Sequence, residues 1–211
     1  MRAIAALLIG LSLVAGVSAC NKPGAATQNP ASGGEMSLGS PTAKVTVIEY
    51  ASLGCPICAH WNNTVFQSFK AKYIDTNKVH YVFREFLTGD APVATAGFLL
   101  AHCVSKDKYF QIIDEVFRQE EPLLESDRGP EKRDALIKVA ESAGLTEAQF
   151  DTCVNNDAAV TALNDQAEKY AKDAKIESTP TFVINGKVYT GFQSLDDLDK
   201  AIAGAPPPAA S

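Results

Sequence analysis

The sequence predicts an α/β fold in which an all-helical segment interrupts a strand-bearing frame. Three observations predict it. A strand–helix–strand unit opens the folded region, helical periodicity runs from about 91 to 175, and a short strand hairpin with one more helix closes the chain.

Lys44 to Tyr50 is β-branched and largely apolar, the composition of a buried strand. Cys55 follows after a short loop, and Cys58 to Tyr73 reads as a helix with Trp61, Val65, Phe66 and Phe69 on its inner side. Val79 to Phe86 is a second strand. A strand–helix–strand unit of this length favours parallel pairing through a right-handed crossover.

From Ala91 onward the pattern is helical. Phe110, Ile113 and Phe117 repeat at helical spacing, and Pro130 opens another helix that closes at Gly144. Thr146 and Gln149 form a capping box that places Phe150, Cys153 and Val154 on one apolar face. Asp157 is positioned to cap a last helix in which Val160, Leu163, Ala167 and Tyr170 recur. Strand character then returns in Thr181–Ile184 and Lys187–Thr190, joined through Asn185-Gly186, the strongest short hairpin signal. Ser194 and Asp197 start a final helix through Leu195, Leu198 and Ile202. The order is that of a thioredoxin-like fold carrying an inserted helical subdomain, over residues 38–204, with a disordered tail at 205–211. Internal repeats are not evident.

A chain of 211 residues accommodates one domain of ordinary size plus flexible ends. Its 46% hydrophobic content suffices for a core. A formal net charge of −6, with no basic run, argues against nucleic acid as a partner.

Met1-Arg2, an almost wholly apolar run from Ile4 to Val17, and the small residues Val17-Ser18-Ala19 make residues 1–19 a signal peptide. The run falls short of the roughly 20 residues a spanning helix needs. Export implies a compartment where disulfides persist. Residues 20–37, rich in Gly, Ala, Ser, Asn and Pro, read as a flexible linker.

Five cysteines are present, and an odd number in an exported protein needs an account of the one left over. Val17-Ser18-Ala19-Cys20 resembles the lipobox of bacterial lipoproteins, whose cysteine becomes the lipidated first residue. An ordinary signal peptide cleaved before Cys20 is the alternative.

Cys55-Pro56-Ile57-Cys58 admits redox, metal-binding and structural readings. Zinc sites generally need four ligands, and His60, His80 and His102 show no ligand spacing. A strand-to-helix turn is instead the context of a redox pair. Cys55 there meets unpaired N–H groups and the positive end of the helix dipole, Pro56 fits the first helical position, and Cys58 lies one turn on. Cys55 is thus the exchanging thiol and Cys58 the resolving one, with neither cofactor nor metal required. Glu49, six residues before Cys55, is a candidate proton relay for Cys58, the alternative being an edge residue reaching water. Thr179-Pro180 precedes a strand, where a proline is unusual. A cis bond explains it, and a trans turn is the commoner conformation.

On these residues the chain resembles the DsbA-like family of bacterial disulfide oxidoreductases. The resemblance lies in Leu38 to Tyr50 through the Cys55–Cys58 motif, in Ser178-Thr179-Pro180-Thr181-Phe182, and in Gly191 to Leu195. It implies Cys55 as nucleophile, Cys58 as its partner, Glu49 as the family's buried acid, and Pro56, Ile57, Thr179 and Pro180 as substrate-contacting positions, the last two in a cis-proline loop. Ile57 stands where the strongest oxidants carry His, and it offers a thiolate neither a donor nor a charge, so a milder oxidant is expected. Thr179 stands where strong oxidases often have Val, as in isomerase relatives. Those isomerases carry an N-terminal dimerisation domain for which the linker leaves no room.

Related proteins also carry a second, non-catalytic disulfide in the helical insert. The resemblance assigns it to Cys103 and Cys153, with two free buried thiols as the alternative. Closing a loop of about 50 residues contributes on the order of 4 kcal/mol in the chain-entropy model. The expected activity is oxidation of reduced exported proteins in the periplasm by a monomer, reoxidised by a quinone-linked membrane partner and anchored through lipid on Cys20. The competing readings are a reductase or isomerase kept reduced by a membrane donor, and a metal-handling or chaperone lipoprotein whose cysteine pair binds copper or zinc.

Overall fold

The computed structural model describes residues 35–207. The signal peptide expected at 1–19, the lipidation expected at Cys20, most of the linker and the end of the tail lie outside the described residues.

Five strands form one sheet in the order β1-β3-β2-β4-β5: β1 Met36–Leu38, β2 Val45–Ala51, β3 Val79–Glu85, β4 Thr181–Ile184 and β5 Lys187–Thr190. The parallel β2–β3 pair, with Val45 opposite Val79 and Ala51 opposite Glu85, is closed by the crossover helix. On its other edge β2 pairs antiparallel with β4, Glu49 facing Phe182. β1 was expected to lie mostly in the linker, yet Met36 is buried and pairs with Phe83. Among the described residues regular structure therefore starts at Met36, within the stretch 20–37 read as linker. Three residues are too few to show a two-residue period, so the strand exists by virtue of its partner β3.

Helix α1, Pro56–Trp61, starts at Pro56 because Cys55 caps it. The helix runs on through π turns at Asn62–Phe66 and Lys70–Ile74, on either side of α2, Gln67–Phe69. Its buried face sets Trp61 against Phe66, Phe69 and Phe182, with ring centroids 5.8, 6.2 and 4.9 Å away. Burying aromatic side chains in tilted pairs supplies much of the energy of such a core.

The helical subdomain comprises α3 Ala91–Cys103, α4 Tyr109–Arg118, α5 Gly129–Ser142, α6 Glu147–Val154 and α7 Asp157–Ala174. α3 is its axis, burying Val93, Phe98, Leu99 and Leu100. A disulfide between Cys103 and Cys153 ties α3 to α6. Thr146 and Gln149 make the reciprocal capping box at the head of α6. The cap of α7 is Asn156, not Asp157: the Asn156 side chain accepts the Ala159 N–H, and Asp157 becomes the first helical residue, where its charge suits the helix dipole.

In the β4–β5 turn Asn185 and Gly186 both have positive φ, +45° and +89°, as a two-residue hairpin of this kind requires. The Asn185 side chain accepts the Thr46 N–H at 2.8 Å and donates to the Pro206 carbonyl at 2.6 Å, so the first tail residues are held against the sheet. α8, Leu195–Ala203, begins at a Ser194–Asp197 capping box. Among the described residues no helix is long and apolar enough to cross a membrane.

Candidate redox site

Between β2 and α1 the chain makes a buried turn, Ser52-Leu53-Gly54-Cys55. Ser52 organises it. Its hydroxyl donates to the Thr88 carbonyl at 2.8 Å and accepts the Gly54 N–H at 3.1 Å, while its carbonyl accepts the Cys55 N–H at 3.1 Å. The segment after β3 crosses this turn backbone to backbone. Phe86 N–H donates to Ala51 and Asp90 N–H to Gly54, each at 2.9 Å. A Cβ on Gly54 would meet the Asp90 carbonyl oxygen at 2.2 Å, and one on Gly89 the Gly54 carbonyl oxygen at 2.0 Å. Glycine at both positions is what permits the approach.

Cys55 sits at the N-cap of α1, where its sulfur accepts the Cys58 N–H at 3.2 Å. It retains 8% exposure, whereas Cys58 has none, so only Cys55 presents a surface to an incoming sulfur. The Cys55 thiol is brought down to about 6, mainly by a hydrogen bond from the Cys58 side chain. Burial opposes this, and Thr179 and the backbone N–H groups of Cys58 and Ile57 assist it. The Cys58 thiol is pushed far above the ordinary range, first by burial and then by its bond to Cys55 and that thiolate's charge. One sulfur is therefore ionised near neutrality and the other protonated, the asymmetry an exchange reaction needs.

The Thr179-Pro180 peptide bond is cis, and the Thr179 carbonyl stands 3.6 Å from the Cys55 sulfur. Two large apolar side chains of the flanking segments are exposed to solvent. Ile57 is 53% exposed and Phe192 40% exposed. The Phe192 ring lies 5.5 Å from that of His60, one helical turn beyond Pro56. Phe192 lies in the Gly191–Leu195 stretch that carries part of the resemblance, but in the loop after β5 nothing local singles it out as a site residue.

Glu49 lies under the pair with 1% exposure and accepts the Tyr81 hydroxyl hydrogen at 2.6 Å. The edge position open to water does not apply. Burial raises its carboxyl to about 8 against the lowering effect of Tyr81, and the Cys55 charge adds to the rise. Tyr81, from β3, is the residue the sequence did not flag. It reads there as one more apolar strand position. A second buried carboxylate, Glu85 at the end of β3, accepts hydrogen bonds from Tyr109 and His102, both at 2.6 Å. Among the described residues no group of His, Cys, Asp and Glu is arranged to hold a metal ion.

A family model described as thioredoxin matches residues 31–203. The chain is 32% identical over 169 residues to a Rickettsia prowazekii protein provisionally named protein-disulfide oxidoreductase, a match covering 80% of this chain and 60% of that one. It thus spans about 60% of the length of the curated relatives it matches in that genus. A Bacillus cereus protein named probable disulfide bond formation protein D is 25% identical over 178 residues, covering 80% of this chain and 77% of its own. Among solved structures, Wolbachia pipientis alpha-DsbA1 superposes with a TM-score of 0.74 at 25% identity, over 82% of this chain and 91% of that one. BdbD from Bacillus subtilis in its oxidised form shares the fold, with a TM-score of 0.65 at 22% identity, over 80% of this chain and 91% of its own.

Proposed function

The chain belongs to the thioredoxin family, with DsbA-like proteins as its structural relatives, and from that footing we propose that it is a thiol:disulfide oxidoreductase that introduces disulfides into exported proteins. The observation that carries the reading is the sulfur asymmetry: an accessible Cys55 held near 6 at a helix N-terminus beside a buried, protonated Cys58.

In the oxidising direction a substrate thiolate attacks Cys55 of the Cys55–Cys58 disulfide. The S–S bond breaks, its electron pair passes to Cys58, and a mixed disulfide on Cys55 forms. Cys58 takes up a proton as it leaves, and Glu49, protonated up to about pH 8, is the group that supplies it. A second substrate thiolate then attacks the substrate sulfur of the mixed disulfide. Cys55 departs as the stabilised thiolate, and the substrate has lost two electrons to the enzyme. Pro56, Ile57, Thr179 and Pro180 form the surface the substrate chain lies against. A quinone-linked membrane partner removes the two electrons. The enzyme works as a periplasmic monomer tethered through lipid on Cys20, and the Cys103–Cys153 bridge is structural.

A low thiolate pKa stabilises the reduced enzyme and so makes the disulfide oxidising. The Ile57 side chain brings no donor to that thiolate, which supports an oxidant of moderate strength. The reductase or isomerase reading draws on the same residue and on Thr179. Equilibration with glutathione, alongside refolding of reduced and of scrambled substrate, tests the proposal. Oxidase activity requires reactivation of the reduced substrate and a potential well above that of thioredoxin, about −270 mV. A potential at or below that value, or unchanged thiol oxidation by Cys55→Ser, rules it out.

A further inference from the structure

The carbonyl just before Cys55 is held by the helical subdomain. Gly54 accepts the Asp90 N–H at 2.9 Å, and the glycine contact described above allows no slack between the two backbones. Asp90 is itself fixed three ways. One carboxylate oxygen accepts the Val93 N–H at 3.1 Å and caps α3, and the Asp90 carbonyl accepts the Ala94 N–H. The other carboxylate oxygen pairs with Lys132 of α5 at 2.5 Å. The two side chains keep 25% and 21% exposure, so water screens the pair only partly. Burial pushes the Asp90 carboxyl up, yet the Lys132 ammonium and the Val93 N–H leave it below its ordinary value.

We propose that Asp90 is a positioning residue through which α5 and α3 set the thiolate affinity and redox potential of Cys55. The chain of contact runs from Lys132 to Asp90, to the Gly54 carbonyl, to the Cys55 backbone. The thiolate depends on a sulfur held 3.2 Å from the Cys58 N–H, a geometry that a shifted Gly54–Cys55 peptide degrades. The oxidised form contains no thiolate. Loosening the contact therefore penalises the reduced form alone and makes the disulfide less oxidising.

The inference rests on the redox reading of the site. It is tested on the full-length protein with Asp90→Asn, Lys132→Met and the double variant, by thiolate absorbance titration of Cys55 and by equilibration with glutathione. Asp90→Asn keeps a capping side chain. Both single variants are expected to raise the Cys55 midpoint and shift the glutathione equilibrium threefold to tenfold toward the disulfide, tenfold being about 30 mV. The double variant should shift it no further than the larger single one. A purely electrostatic origin predicts opposite shifts, since removing the carboxylate favours the thiolate and removing the ammonium disfavours it. Opposite shifts, additive shifts, or an unchanged midpoint and equilibrium overturn the proposal. If the unsubstituted protein fails to exchange with glutathione at all, the functional reading falls, while the thiolate titration still decides the role of Asp90.

Discussion

Tyr81 donates its hydroxyl hydrogen to Glu49 across 2.6 Å, joining β3 to β2 in a fully buried bond beneath the redox pair. No charge comes with this partner. Burial raises the Glu49 carboxyl, and the Tyr81 phenol, a weaker partner for a carboxylate than an ammonium, offsets only part of the rise, so Glu49 stays protonated up to about pH 8.

That protonation has a measurable sign. An unfolded glutamate ionises at about pH 4.3, so the folding stability from this group is fully present below that pH and declines as pH rises. It is lost once pH passes through about 8. Glu49→Gln should flatten the slope and leave the variant more stable than the parent at pH 9, by as much as about 5 kcal/mol. Urea unfolding at pH 5, 7 and 9 measures it. An unchanged slope would mean that Glu49 ionises normally. The same variant should slow substrate oxidation below pH 8, where the parent can deliver the proton.

Cys55 gives the opposite sign. Its pKa is lowered from an unfolded value of about 8.5, so the reduced protein gains stability that is present above that value and lost as pH falls through about 6. Thiolate absorbance should titrate with a midpoint near 6. Cys58→Ala should raise that midpoint, because the strongest hydrogen bond to the thiolate comes from the Cys58 side chain. A midpoint unmoved by this substitution contradicts the assignment. Alkylation at pH 7 should label Cys55 and spare Cys58.

The crossing of two backbones at Gly54 and Gly89 predicts intolerance of a single methyl group. Gly54→Ala and Gly89→Ala should each destabilise the protein by at least about 2 kcal/mol, the second also through its φ of +72°. Gly129 has no atom within 4 Å of a built Cβ, so Gly129→Ala should be neutral or stabilising. Thermal unfolding of the three variants side by side gives the comparison.

The exposed apolar surface of Ile57 and Phe192 should matter for protein substrates and not for small thiols. Ile57→Ser or Phe192→Ser should lower kcat/KM for a reduced protein about threefold to tenfold. Exchange with glutathione should be nearly unaffected by Phe192→Ser. Equal losses with both substrates would place these residues in the chemistry instead.

The catalytic turn was legible because its signals are local: a buried strand, a cysteine at a helix start, a proline at the first helical position. The hairpin and both capping boxes were legible for the same reason. What escaped was built by contacts distant in sequence. Tyr81 reaches Glu49 across 32 positions, and Lys132 reaches Asp90 across 42. Within the strand Val79 to Phe86 nothing local marks Tyr81 as a hydroxyl donor. The offset at Asn156 has a different origin: two adjacent side chains are both good caps, and it is the Asn156 side chain that accepts the Ala159 N–H.

Trp61 is the only tryptophan in the chain, and it stands three residues beyond Cys58. Its indole N–H donates to the Gln193 carbonyl at 2.9 Å, and its ring packs on Phe182 of β4. The protein thus carries one optical gauge at the junction of α1, the sheet and the loop bearing Phe192. Its emission reads three events on a single channel without any label: closing or opening of the neighbouring sulfur pair, docking of a client on that loop, and loss of the fold.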